Sequence, residues 1–136
     1  MGTTVAIIED DAPIRFMYQL KLEREGFEVV TASDGLEGLE VTSRCRPDLI
    51  LLDLLMPRMG GSDMLAQLRE KDWGASVRVI VLTNLSKNEA PQALRFLHVD
   101  RYIVKAHYTP AQVAEVVREV LGLQRTTTAS SQEVLH

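Results

Sequence analysis

The sequence predicts an α/β fold: five parallel strands in a doubly wound sheet of order 2-1-3-4-5, with five helices on its two faces. Three observations carry that prediction. Short aliphatic runs alternate with stretches of helical spacing through residue 122. The middle run, Leu49-Ile50-Leu51-Leu52, follows the breaker pair Pro47-Asp48 and is apolar throughout, as in a strand buried on both faces. Four of the five runs end on polar residues, and in an open α/β sheet chemistry sits beyond the carboxyl ends of the strands.

Val5-Ala6-Ile7-Ile8 is the first strand and stops at Glu9-Asp10-Asp11. Pro13 suits the first turn of a helix, in which Ile14, Met17 and Leu20 are expected to form the buried face, with Gly26 as the stop. Phe27–Thr31 reads as a second strand near an edge, because its polarity is mixed. Ser33-Asp34-Gly35 opens a second helix, with Leu36, Leu39 and Val41 as its apolar positions. The third strand runs into Asp53, and Met56-Pro57-Arg58-Met59-Gly60-Gly61 forms a loop before a third helix marked by Met64, Leu65 and Leu68. Val77–Thr83 is the fourth strand. A fourth helix is expected after the capping box Ser86-x-x-Glu89, beginning late because of Pro91. Arg101–Lys105 is the fifth strand, and Thr109-Pro110-Ala111-Gln112 caps a fifth helix whose stripe is Val113, Val116, Val117, Val120 and Leu121. Connections this short, taken with right-handed crossovers, give a flavodoxin-like arrangement whose switch point lies between strands one and three.

Residues 1–123 suffice for one domain, and 124–136 are low in apolar content and expected to be a disordered tail. With 46% hydrophobic residues the chain can bury a real core. A net charge of -4 argues against a nucleic-acid surface, so no direct DNA binding is expected. No apolar run is long enough to span a bilayer, and no signal pattern opens the chain, so it is expected to be cytoplasmic without membrane insertion. A single Cys45 forms neither an internal disulfide nor a zinc cluster.

The strand ends converge on one edge. Glu9, Asp10 and Asp53 repel one another unless a cation joins them, and hard oxygen ligands at an open site suit Mg²⁺. Lys105 adds a point charge and Thr83 a hydroxyl, both able to bind phosphoryl oxygens. Asp53 is then a candidate nucleophile that forms an acyl phosphate. Each residue also has a plain structural role, as cap, strand residue or solvated charge. Caps, however, have no reason to converge.

From residue 4 to 122 the sequence resembles the receiver domain of two-component response regulators. The motifs are the acidic pair after strand one, Asp53-Leu54-Leu55-Met56-Pro57-Arg58-Met59-Gly60-Gly61, Thr83, and Tyr102-Ile103-Val104-Lys105. The resemblance implies that Asp53 is phosphorylated and that Glu9, Asp10, Asp53 and the Leu55 backbone carbonyl hold Mg²⁺. Lys105 would pair with Asp53, while Thr83 and Tyr102 would move as the switch. The implied partners are a sensor histidine kinase or phosphotransfer protein and an unidentified output protein. The output protein would bind the surface of helix four, strand five and helix five, near Phe96, Tyr102 and Tyr108; that surface could also serve a homodimer. Three positions depart from the pattern: Ala106 replaces a proline, Asn84 a smaller residue, and His98-Val99 the usual Gly-Ala. A cis bond before Ala106 would cost about 3 kcal/mol, so a trans bond and a reshaped loop are expected. Leu55 and Leu85, two residues past Asp53 and Thr83, should flank the path of attacking water, which predicts slow loss of the phosphoryl group.

The leading reading is a stand-alone phosphorylation switch with no enzymatic activity beyond accepting and hydrolysing its own phosphoryl group. A degenerate receiver used for docking is the alternative. Hydrolases with an Asp nucleophile usually need a second Asp where Leu55 stands, and the acidic residues after strand one would repel a flavin phosphate.

Overall fold

The computed structural model describes residues 2–123 and carries a single five-stranded parallel sheet of order β2-β1-β3-β4-β5. The strands are β1 (Thr4–Ile8), β2 (Glu28–Ala32), β3 (Leu49–Leu52), β4 (Arg78–Thr83) and β5 (Arg101–Val104). Four α-helices accompany them: α1 (Ala12–Arg24), α2 (Gly35–Cys45), α3 (Gly61–Arg69) and α4 (Pro110–Leu121). The tail expected at 124–136 lies outside the described residues. Strand order and class follow the sequence expectation.

Successive residues of each strand face opposite layers. Val5, Ile7, Leu49, Leu51, Ile80, Leu82 and Ile103 pack with Tyr18 and Leu22 of α1 and Val113 and Val117 of α4. Ala6, Ile8, Ile50, Leu52, Val79 and Val81 pack with Val41 of α2 and Met64, Leu65 and Leu68 of α3. Each large aliphatic side chain so buried contributes roughly 1.5–3 kcal/mol. β3 lies between β1 and β4, with Leu52 opposite Ile8 and Val81, so Asp53 leaves the sheet at its centre.

Capping chemistry sets the helix starts. The Asp11 carboxylate accepts from the Ile14 N–H at 3.0 Å, and Asp34 from the Glu37 N–H at 2.9 Å. Thr109 and Gln112 form the reciprocal box expected for the last helix. Gly122 ends it in the left-handed region, at φ 71°.

Three expectations are corrected. The helix expected between β4 and β5 does not form: Lys87–Glu89 and Gln92–Phe96 are separate 3₁₀ turns, so among the described residues the sheet carries four α-helices, not five. The capping box at Ser86 does form, but Pro91 separates the turns and cannot supply an N–H to a continuous helix. Arg69 clasps the exit of this segment. Its guanidinium donates to the carbonyls of Leu97 (2.7 Å), Val77 (2.7 Å), Gly74 (3.0 Å) and His98, the last at φ 58°. On α1, Tyr18 and Leu22 are buried and Ile14 packs partly buried against the core, while Met17 and Leu20 are exposed, so the buried face is turned from the expected one. Apolar residues lie nearly all round that helix, so periodicity alone gives it no phase. Leu36 of α2 is also exposed, because the close approach to the sheet is made at Gly38, where an added Cβ would meet Ile8 and Met64. No peptide bond among the described residues is cis, as expected before Ala106, and Lys105–His107 forms a 3₁₀ turn at the end of β5.

Candidate functional site

Two neighbouring strand ends bring the acidic residues together. Past Ile8 the Glu9 N–H donates to the Ala32 carbonyl at 3.0 Å, and the Asp53 N–H donates to the Ile8 carbonyl at 3.0 Å. Both residues are buried, whereas Asp10 is exposed at the lip. One oxygen from each of Glu9, Asp10 and Asp53 lies within 4.8 Å of the other two. Lys105, from the far side of the sheet, places its ammonium on Glu9 and at 3.1 Å from Asp53 Oδ2. The Arg15 guanidinium donates to the Glu9 carbonyl at 2.8 Å, and the Asp11 N–H to Glu9 Oε2 at 3.0 Å.

These contacts set the charges. Burial pushes the Glu9 carboxyl above its ordinary value; the Lys105 and Asp11 hydrogen bonds oppose the rise, and the Asp53 charge adds to it. Burial alone would lower Lys105, but its hydrogen bond to Glu9 and the Asp53 and Glu9 charges outweigh burial and raise it. Lys105 is thereby favoured as an ammonium between the two carboxylates it contacts. Ligand oxygens on an octahedral Mg²⁺ lie roughly 3–4 Å apart. The three carboxylates lie close enough for one ion to draw them together and offer only hard oxygen atoms. Asp10 keeps the cluster open to water.

The expected switch residues lie beside this cluster. Thr83, fully buried, ends β4, and its Oγ1 accepts from the Leu85 N–H at 3.5 Å. Tyr102, half-buried on β5, donates its hydroxyl to the Leu85 carbonyl at 2.8 Å and lies 3.2 Å from that of Ser86. Burial raises the Tyr102 pKa, with smaller contributions from the Glu89 and Asp53 charges. The peptide groups of Leu85 thus connect the two hydroxyls. Asn84 and Leu55 are exposed, Leu85 half-buried.

Sequence reasoning missed the brace on the loop that follows Asp53. Arg58, at φ 64°, reaches Asp34 with Nε at 2.8 Å and Nη2 at 2.7 Å. The Gly35 N–H donates to the Met59 carbonyl at 2.9 Å, and a Cβ on Gly61 would overlap the Asp53 carbonyl. The Glu37 N–H is the main cause holding Asp34 below its ordinary value; burial opposes this, and Arg58 reinforces it. The sequence marks Asp34 only as a helix opener. Its pairing with a residue 24 positions away has no local signal. Tyr18, buried beneath the cluster, was missed as well; burial raises its pKa, while the Lys105 charge lowers it and that of Glu9 raises it.

A family model described as the response regulator receiver domain matches residues 5–118. The chain belongs to this family. A probable transcriptional regulator, ycf27 of Porphyridium aerugineum, is 35% identical over 93% of this chain and 50% of its own length. This receiver domain spans about half the length of the curated relatives it matches. Chemotaxis protein CheY4 of Vibrio cholerae superposes with a TM-score of 0.82 at 27% identity, covering 88% of this chain and 99% of that one. The response regulator TrrA of Thermotoga maritima, solved in complex with Mg²⁺–BeF, gives 0.76 at 26% identity, covering 87% and 98%. Receiver domains take part in two-component signalling, and the chemotaxis neighbour shares the doubly wound fold described above.

Proposed function

We propose that this receiver domain accepts a phosphoryl group on Asp53 from a phosphohistidine of a sensor histidine kinase or phosphotransfer protein. The observation that carries the reading is the Lys105 ammonium bridging Glu9 and Asp53 within a cluster of three carboxylates. One Asp53 oxygen forms the new O–P bond as the donor N–P bond breaks, and the leaving imidazole takes up a proton. Glu9, Asp10, Asp53 and the Leu55 carbonyl would hold Mg²⁺, which when bound offsets charge on the phosphoryl oxygens. Lys105 transfers part of its ion pairing from Asp53 to the phosphoryl group. Thr83 turns its hydroxyl toward the same oxygens and thereby loosens the Leu85 N–H; Tyr102, held on the Leu85 carbonyl, carries that change to the surface. That surface comprises the 3₁₀ turns at 87–96, β5 and α4, with Phe96 and Tyr108 as contacts. In our reading the domain acts cytoplasmically on an output protein or a second copy of itself, without contacting DNA directly.

Intact mass after incubation with acetyl phosphate tests the proposal. One added phosphoryl group that requires Mg²⁺ is expected. If neither an adduct nor beryllofluoride binding were seen, the phosphoacceptor reading would fail and a docking module would replace it. A second reading rests on relatives described as transcriptional regulators, one of them as DNA-binding, about half of whose length is matched: the same switch would act on a DNA-binding segment joined to it.

The acyl phosphate should also be long-lived. Leu55 is 58% exposed beside the site and Leu85 half-buried, and neither can orient water. Leu55→Asn with Leu85→Glu is expected to speed decay of the phosphoryl adduct about tenfold or more. Unchanged decay would remove these side chains from the account.

A further inference from the structure

Where a fourth helix was expected, the two 3₁₀ turns leave a groove of about 910 Å³ against β5. The cations Lys87, Arg95 and Arg101 line it, against the single carboxylate of Asp100. Asp100 is already engaged, accepting from the Val79 N–H at 2.8 Å. Arg101 is paired with Glu119 of α4, whereas Lys87 and Arg95 have no ion pair among the described residues. The lining thus holds more cations than carboxylates on a chain of net charge -4, with Glu89, whose charge acts on Tyr102, beside it. β5 is the last strand of the sheet, and among the described residues no further backbone hydrogen bond reaches its outer edge. A free edge is a template for another strand, and alternate side chains of that strand supply specificity. Phe96, on the turn beside the groove, is 84% exposed, an unusual position for a large aromatic ring unless it meets a partner.

We propose that this groove receives an extended acidic segment of a partner protein, which adds to the free edge of β5 as a sixth strand. Backbone pairing along Arg101–Val104 supplies the affinity, and Lys87 and Arg95 select carboxylates on the incoming segment. Phe96 receives an apolar side chain between them. The use of this groove for output rests on the reading of the 87–96, β5 and α4 face as the signalling surface. Peptide binding to the groove is read on unphosphorylated protein, so its failure and that of the phosphoacceptor reading can be told apart.

The test titrates an alternating glutamate–valine heptapeptide into the unphosphorylated, ¹⁵N-labelled full chain. Amide shifts are expected along Val99–Val104 and the 87–96 turns, and none with the lysine–valine counterpart. N-methylation of alternate peptide bonds, which removes donors without changing charge, should weaken binding about tenfold or more. Lys87→Glu with Arg95→Glu should weaken it by a similar factor of about ten while leaving the amide spectrum of the core unchanged. Absence of shifts at millimolar peptide, equal binding of the basic peptide, or indifference to N-methylation would overturn the proposal.

Discussion

Asp53→Asn is expected to leave the intact mass unchanged under conditions in which the parent chain gains one phosphoryl group. The substitution preserves size and the backbone bond from residue 53 to the Ile8 carbonyl, so the strand end should hold its place. It removes the only oxygen nucleophile that is both at the end of the central strand and in contact with the Lys105 ammonium. An amide is a far poorer nucleophile than a carboxylate and offers Mg²⁺ no negative charge. Loss of the adduct should therefore be complete, while thermal unfolding in the absence of Mg²⁺ shows a single cooperative transition, as in the parent. An adduct that persisted on this variant would move the acceptor elsewhere, and peptide mapping would locate it.

Lys105→Ala is expected to act on both stability and chemistry. Removing the ammonium leaves the Glu9 and Asp53 carboxylates facing one another, with side-chain exposures of only 4% and 8%. Breaking a buried pair from one side typically costs about 3–5 kcal/mol, and denaturant unfolding without Mg²⁺ should show a loss of that order. Added Mg²⁺ should then restore more stability in the variant than it adds to the parent, because the cation relieves a larger repulsion. Phosphoryl uptake should fall about 10²-fold or more, the usual cost of removing a group aimed at developing charge. A decrease of less than about tenfold would exclude Lys105 from transition-state stabilisation.

The pH dependence has a definite sign. Glu9 is raised above its ordinary value of 4.5, chiefly by burial, so the folded chain holds this proton more tightly than the unfolded chain. Its contribution is fully present at acid pH and is lost as pH rises from 4.5 through the raised value. Without Lys105 one opposing influence disappears and Glu9 rises further, so the Mg²⁺-free variant should lose stability over this window more steeply than the parent. Lys105 in the parent lies above its ordinary value of 10.5, so its stabilisation holds at neutral pH and disappears as pH climbs through the raised value. The variant should lack that alkaline loss. Unfolding curves across pH in chelator provide the measurement.

The strands and the acidic site were legible for related reasons. A strand covered on both faces must be apolar throughout, so Leu49–Leu52 and Val79–Leu82 stand out without knowledge of their neighbours. A polar residue ending such a run must lie at the carboxyl edge, which places Glu9, Asp53, Thr83 and Lys105 at one edge of the sheet. The helix starts at Asp34 and Thr109 were equally local, because each bonds an amide three residues onward.

Other features depended on partners far along the chain. The fourth helix carried a sound capping box at Ser86, yet the segment resolved into 3₁₀ turns around Pro91, with its exit held by an Arg69 guanidinium 28 residues before Leu97. The buried face of α1 was settled by which ridge met α4 and the sheet, not by a periodicity that helix scarcely has. Arg58 found Asp34 across the sheet edge, and Leu85 became the link between Thr83 and Tyr102 through its backbone, which side-chain identity does not report. The sequence by itself determined the class of fold, the order of the strands and the residues of the acidic site, because burial and strand polarity act residue by residue. Only the tertiary structure decided the groove beside β5, the brace on the Asp53 loop and the orientation of α1, because each is a contact between segments whose meeting no local pattern encodes.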